Sequence, residues 1–280
     1  MVFRNLHMHS TFDDGKDTCH DMLEACLKVG MPAAGISLHS PMPFENDWAP
    51  ENTEPFLAEM ALQKEIFSGR MTVFTGIELD TRSMAGVDLS PFDYVIGAVH
   101  HLPGVEPPLS VDHAPEITMR IFREFFSGDP DAMAEGYFGE LLKVAECREA
   151  AICAHFDLLT KFDEKYHFMN PESPRYQKAA LRALNALLDA EKIIEVNTGA
   201  ISRGWRSTPY PSKEFLLEIR RRGGKVTVSS DSHAKETVDC AFGQAVEILA
   251  SCGFAETWQI FPNSNGGKPF FAPVPLEVSR

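Results

Sequence analysis

Asp93-Tyr94-Val95-Ile96-Gly97-Ala98-Val99-His100 is a short apolar run that ends on a metal-ligand type of side chain. Apolar on both faces and partly β-branched, it reads as a parallel strand buried between layers. Runs of the same kind recur over about 2–9, 34–39, 71–79, 150–155, 193–197 and 225–230. Helical patterns fall between them, near 18–29, 52–68, 113–127, 131–147, 174–190, 212–222 and 238–252. In 174–190 the residues Ala180, Leu181, Leu184, Leu187 and Leu188 recur at helical spacing. Pro211-Ser212 opens another helix and Gly223-Gly224 stops it. Seven β-then-α units imply an α/β fold with a parallel sheet. Repeated right-handed crossovers favour closure into a barrel over an open doubly wound sheet. No Gly-rich phosphate loop follows the first strand, so a nucleotide-binding open sheet has no motif behind it.

The chain has 280 residues, and 26 Lys+Arg against 40 Asp+Glu give a formal net charge of −14. That balance argues against a nucleic-acid partner, which needs clustered Lys and Arg. The one dense basic run, Arg220-Arg221-Arg222, reads as a helix C-terminus answering the helix dipole. The six cysteines form no CxxC pair, which disfavours both a thiolate zinc site and a disulfide framework. Cys26 and Cys153 read as buried small hydrophobes. No apolar run approaches the roughly 20 residues of a membrane helix, and the N-terminus lacks signal-peptide architecture. The expectation is a reduced, cytoplasmic protein with no membrane partner.

The polar residues at the strand ends carry the chemistry. His7 and His9, His39, Glu78, His100 and His101, His155, and Asp231 with His233 each follow or end a strand. Asp14 lies just past the first. Side chains at i and i+2 of a strand point the same way, so His7 and His9 enter one barrel mouth together, and Asp231 with His233 fits the same pattern. Imidazole and carboxylate are the ligand set of zinc, iron and manganese. The cluster is too large for one tetrahedral ion and points to two or three. A lone strand-end histidine is usually structural; six strands delivering ligand types to one rim are not. His20, His113 and His167 have no partner pattern and receive no role.

Several segments, in order, are similar to one family: His7-Met8-His9-Ser10, Asp14-Gly15-Lys16, Ser37-Leu38-His39-Ser40-Pro41, Gly76-Ile77-Glu78, Asp93 to His100, His155-Phe156-Asp157-Leu158, Glu195-Val196-Asn197-Thr198 and Ser230-Asp231-Ser232-His233. Together they resemble the polymerase-and-histidinol-phosphatase (PHP) superfamily and, within it, the histidinol-phosphate phosphatases. The resemblance implies a distorted seven-stranded (β/α)7 TIM-like barrel as a single domain over residues 1–280. It implies two to three divalent metal ions, Zn, Mn or Fe. His7, His9, Glu78 and Asp231 would hold the first, with Glu78 bridging to a second on His100 and His155, and Asp14, His39 and His233 holding the third. Two departures stand out. Many relatives carry His at the position of Asp14, and an Asp before the strand-two His where this chain has Leu38.

The activity implied is hydrolysis of L-histidinol phosphate, a small phosphate monoester, to L-histidinol and phosphate in histidine biosynthesis. A hydroxide between two ions would attack phosphorus, with Glu78 and Asp231 central to catalysis. Arg203 and Lys161 match basic substrate-contacting positions of the branch. His101 is expected to support a ligand or move a proton. Asp157, Glu45, Asp47, Trp48 and Trp205 lie near loops that would meet the amine and imidazole of the substrate. Alternatives are a PHP phosphoesterase for another small ester or nucleotide, and a non-catalytic metal-binding scaffold. A metal-dependent amidohydrolase is more distant, for want of a bridging lysine at a strand end. A homo-oligomer is compatible with the reading.

Overall fold

The computed structural model describes residues 3–42, 44 and 48–277. Seven parallel strands form one sheet in the sequential order β1 (Arg4–Asn5), β2 (Ala33–His39), β3 (Thr72–Asp80), β4 (Tyr94–Ala98), β5 (Ile152–Cys153), β6 (Ile193–Asn197) and β7 (Lys225–Ser229). The sheet curls into a nearly closed barrel. Met8 bridges Ser232 beside β7, and the His9 amide donates to the Ser232 carbonyl at 2.9 Å. The helices between strands are α1 (Cys19–Lys28), α2 (Glu54–Ile66), α3 (Pro115–Glu124), α4 (Pro130–Glu146), the one-turn α5 (Asp163–Tyr166), α6 (Pro174–Asp189), the one-turn α7 (Gly199–Ser202), α8 (Lys213–Arg221) and α9 (Phe242–Ser251). The seven expected strands and seven long helices are all present.

Local chemistry sets the helix starts. Thr18 caps α1 by accepting from the Asp21 amide, Asp129 caps α4 through the amides of Asp131 and Ala132, and Ser173 caps α6 ahead of Pro174. The apolar stripes of these helices, such as Tyr137 and Leu141 of α4 with Leu184 and Leu187 of α6, bury against the outer face of the barrel. The basic run behaves as structure. Arg220 donates to the Gly253 carbonyl, Arg221 pairs with Glu218, and Arg222 with Asp189. Cys26 and Cys153 are buried, and all six cysteines are free.

The first and fifth strands are much shorter than the sequence suggests, and near their ends side chains take up backbone amides. The first strand, expected over 2–9, is regular only at Arg4–Asn5, and residue 2 lies outside the described residues. Beyond it, Asn5 Oδ1 faces the amides of His7 and Ser230 at 3.3 Å each. In the fifth, expected over 150–155, the His155 amide donates to Glu195 at 2.8 Å instead of to a neighbouring strand.

A C-terminal hairpin was not expected. β8 (Glu256–Phe261) and β9 (Phe270–Pro275) pair antiparallel, and β8 packs beside β7. Ile260 joins the barrel-interior cluster of Leu6, Phe74, Ile96, Ile152 and Ile193 from the N-terminal end of the strands. Arg4 reaches Gln259 at 2.7 Å and lies over the Phe261 ring. The hairpin is thus a floor opposite the mouth that carries the histidines.

Tyr94 fills the layer between that floor and the mouth. Its ring lies against Gly35 and Gly76, where an added Cβ would sit 2.8 and 2.1 Å from the nearest ring atom, and its hydroxyl donates to the Leu6 carbonyl. Gly76 therefore sets the height of Glu78, two residues further along the same face. Gly76→Ala is expected to overpack this layer and cost about 1–3 kcal/mol. The check is a melting temperature several degrees below wild type, with near-UV circular dichroism altered; an unchanged melt would contradict the packing.

Candidate metal centre

Glu78 is the hub of the mouth. Parallel register sets it across from His39, and both are buried. Its Oε2 lies 3.1 Å from His7 Nε2, 3.4 Å from His9 Nε2 and 3.1 Å from His39 Nδ1. Its Oε1 lies 3.3 Å from His100 Nε2 and 3.0 Å from His155 Nε2. One carboxylate thus divides five imidazoles into a group of three and a group of two.

Asp231, just past β7, turns Oδ1 toward His7 Nε2 at 3.8 Å and His9 Nε2 at 3.5 Å. Asp14 sits on the tight loop after the first strand. Gly15 permits that loop, since a Cβ there would fall 2.4 Å from the Ser10 amide nitrogen. Asp14 Oδ1 stands 3.1 Å from His233 Nε2 and 3.6 Å from His39 Nε2. The structure therefore brings His7, His9, Asp14, His39, Glu78, His100, His155, Asp231 and His233 together at one end of the barrel. Four overlapping groups among them offer ligand atoms within 4.8 Å of one another. These are His9-Asp14-His39-His233, His7-His9-Glu78, His7-His155-Asp231 and Glu78-His100-His155.

A second ring of carboxylates stands behind the histidines, and sequence reasoning missed it. His7 Nδ1 meets Glu195 at 2.6 Å, His9 Nδ1 meets Asp13 at 2.9 Å, and His100 Nδ1 meets Asp80 at 3.1 Å. A carboxylate only accepts, so each Nδ1 carries a proton, and Nε2 is the atom left to offer a lone pair to a cation in the mouth. His7 Nε2 and His9 Nε2 are buried and make no hydrogen bond. Buried nitrogens in that state, facing carboxylate oxygens, fit a cation between them. The sequence did hold signals: Asp80 is at i+2 from Glu78 on the same strand face, and Asp13 adjoins Asp14.

Electrostatics follows the geometry. Burial opposes charge on Glu78, but His7, His39 and His100 prevail and hold its carboxyl well below the usual carboxylate range. Burial likewise opposes charge on Asp231, and Arg203 with His7 holds it far down. Against burial, Asp13 carries the His9 imidazole up to about 10, whereas burial and the neighbouring His9 lower His39 to about 4. Asp13, Asp14, Glu78, Asp80, Glu195 and Asp231 surround the imidazoles with carboxylates, an excess of negative charge that suits divalent cations.

These groups open into a cavity of about 400 Å³, lined also by Trp48, Asp112, His113, Lys161 and Arg203. Lys161 Nζ is held by the Asp112 carbonyl at 2.7 Å and carboxylate at 2.9 Å. Arg203 lies against Asp231, Nη2 to Oδ2 at 3.0 Å. His101 does not line the cavity. It is buried behind the wall, 3.5 Å from Asp80 Oδ2 and parallel to the Trp48 ring. Past His100 the side chain alternates away from the mouth, which places His101 beside Asp80, the carboxylate that holds His100. Of the residues expected near the substrate's organic end, Trp48 lines the cavity. Asp157 lines a separate cavity and Trp205 packs on Phe162. Glu45 and Asp47 lie outside the described residues. His113, given no role from sequence, is part of the cavity wall.

With this geometry in view, the family is clear. The chain belongs to the PHP domain family, whose model matches residues 5–199. Among curated relatives, the "Probable histidinol-phosphatase" of Deinococcus radiodurans is 26% identical over 264 residues, covering 88% of this chain and 92% of the relative. The "Histidinol-phosphatase" of Bacillus subtilis is 21% identical over 272 residues, covering 88% and 99%. The fold is shared with a crystal structure of histidinol phosphate phosphatase from Lactococcus lactis complexed with zinc, L-histidinol and phosphate. That likeness has a TM-score of 0.69 at 18% identity, over 92% of this chain and 96% of the other.

The ring of supporting carboxylates is open to test. Asp80→Asn keeps an acceptor for the His100 amide but removes the charge that fixes the ring. Affinity for Mn²⁺ or Zn²⁺ should fall about 10–100-fold with the fold retained, read by titrating chelator-stripped protein. Undiminished affinity would count against a metal centre organised by this ring.

Proposed function

We infer that the chain is a metal-dependent histidinol-phosphatase, which hydrolyses L-histidinol phosphate to L-histidinol and inorganic phosphate in histidine biosynthesis. The observation that carries this reading is Glu78, one buried carboxylate whose two oxygens face separate sets of imidazoles. The relatives' names and the L. lactis complex supply the substrate.

In this reading His7, His9, Glu78 and Asp231 hold one divalent ion, Glu78, His100 and His155 a second, and Asp14, His39 and His233 a third. Imidazole-carboxylate ligation suits Zn, Mn and Fe alike. Such ions supply Lewis-acid charge to phosphate oxygens and bring the pKa of water down to about 7. The chain's own residues do the positioning. Glu195, Asp13 and Asp80 fix the imidazole rings, and Lys161, anchored by Asp112, gives the phosphate a positive wall. Arg203, in the loop after the neighbouring strand, adds its charge to the same cavity. Trp48 offers an aromatic face within the same cavity, suited to the substrate's imidazole. A mouth of about 400 Å³ fits a small monoester rather than a polymer, and the net charge of −14 counts against nucleic acid. Among the described residues no helix is long and apolar enough to cross a membrane. The six free cysteines accord with a reducing, cytoplasmic location.

Phosphate release with added Mn²⁺ or Zn²⁺ should favour histidinol phosphate over p-nitrophenyl phosphate and a nucleoside monophosphate by at least roughly 100-fold in kcat/KM, about 2.7 kcal/mol. A flat profile would defeat the substrate assignment and leave the phosphatase. No release from any monoester would leave only a metal-binding scaffold. His9→Ala is expected to abolish turnover with little change in melting temperature. Chelation should silence the wild type, and divalent ion should restore it.

A further inference from the structure

Arg203 caps the one-turn helix α7 and faces Asp231 with both ends of its guanidinium. Nη2 donates to Asp231 Oδ2 at 3.0 Å, and Nη1 donates to the Asp231 carbonyl at 3.1 Å. Asn197 Nδ2 reaches the same Oδ2 at 3.3 Å. With Oδ2 engaged, Oδ1 is the oxygen left to face His7, His9 and His233, at 3.8, 3.5 and 3.6 Å. The backbone needs the same grip. Asp231 has φ +47°, in the left-handed region that a side chain disfavours. The guanidinium also sits 3.0 Å from His233 Nδ1, a contact available while that nitrogen is unprotonated. When Nδ1 carries the proton it donates instead to the Asp231 carbonyl, also at 3.0 Å. Space is built around this clamp, since a Cβ on Gly199 would stand 2.7 Å from Arg203 Nη2 and 2.9 Å from Asp231.

We propose that Arg203 is a positioning residue for the metal centre, which orients Asp231 so that Oδ1 alone is presented to a cation. This role is distinct from the charge it lends to the phosphate, and it rests on the metal-centre reading above. A planar fork that grips a carboxylate oxygen and a main-chain carbonyl at once has no lysine equivalent, because an ammonium is a point charge on a flexible stem. Charge and geometry are therefore separable by substitution.

The test uses wild type, Arg203→Ala, Arg203→Lys and Gly199→Ala, each stripped with chelator and titrated with Mn²⁺ or Zn²⁺ by calorimetry. Steady-state phosphate release is then measured at saturating metal. Metal affinity is expected to fall at least about 10-fold in both Arg203 variants. Arg203→Lys should keep a KM near wild type, whereas Arg203→Ala raises it. Gly199→Ala, whose methyl would press on the guanidinium and on Asp231 alike, should also lose metal affinity, so Arg203→Lys is the variant that isolates the arginine. If Arg203→Ala does not fold, the other two variants carry the comparison. Metal affinity within twofold of wild type in Arg203→Lys and Gly199→Ala would overturn the proposal. A wild type that binds no metal would overturn the metal-centre reading itself, and the two failures are distinguishable in one titration series.

Discussion

A carboxylate buried among five imidazoles is the constraint around which the barrel mouth is organised. Glu78 is buried, and five imidazoles of the chain surround its charge. They arrive from the ends of four other strands, and that convergence requires the barrel to curl. The cost of gathering like-charged groups behind them is met by distributing the protons. Each of Glu195, Asp13 and Asp80 takes an Nδ1 hydrogen and leaves Nε2 as the nitrogen turned inward. The polar mouth thereby gains direction as well as charge.

That demand reaches into the secondary structure. The first and fifth strands are cut short where Asn5 and Glu195 take up backbone amides that a longer ladder would have used. The sheet gives up regularity at the rim and recovers it below, where Tyr94, Ile96 and Phe74 pack the interior and the hairpin seals the far end. Stability and chemistry are thus placed at opposite ends of one set of strands, as barrel enzymes commonly arrange them.

Much of this was legible in the sequence, for physical reasons that also mark where legibility stopped. Buried parallel strands write themselves as apolar runs, so the seven β/α units could be read directly. One polar strand end says little, but ligand types ending six strands at one rim are conspicuous. The supporting carboxylates were harder. Glu195 lies within the apolar run 193–197, and nothing in one dimension says that it meets His7 across the barrel. The hairpin was missed because Phe270-Phe271-Ala272-Pro273-Val274-Pro275 carries two prolines, which argue against a strand interior and are tolerated here on β9. His101 was legible in part: strand alternation turns it away from the mouth, and it lies beside Asp80, the carboxylate behind His100.

Tyr94 links three strands through a shared volume, because its ring occupies the space that side chains at positions 35 and 76 would need. Positions coupled in this way do not drift independently. A lineage that enlarges either glycine has to shrink the aromatic ring in company with it, and a smaller ring forfeits its tie to the Leu6 carbonyl. The trio is accordingly an interlock: a side chain gained at 35 or 76 collides with the ring, so either change is accommodated only together with a smaller residue at 94.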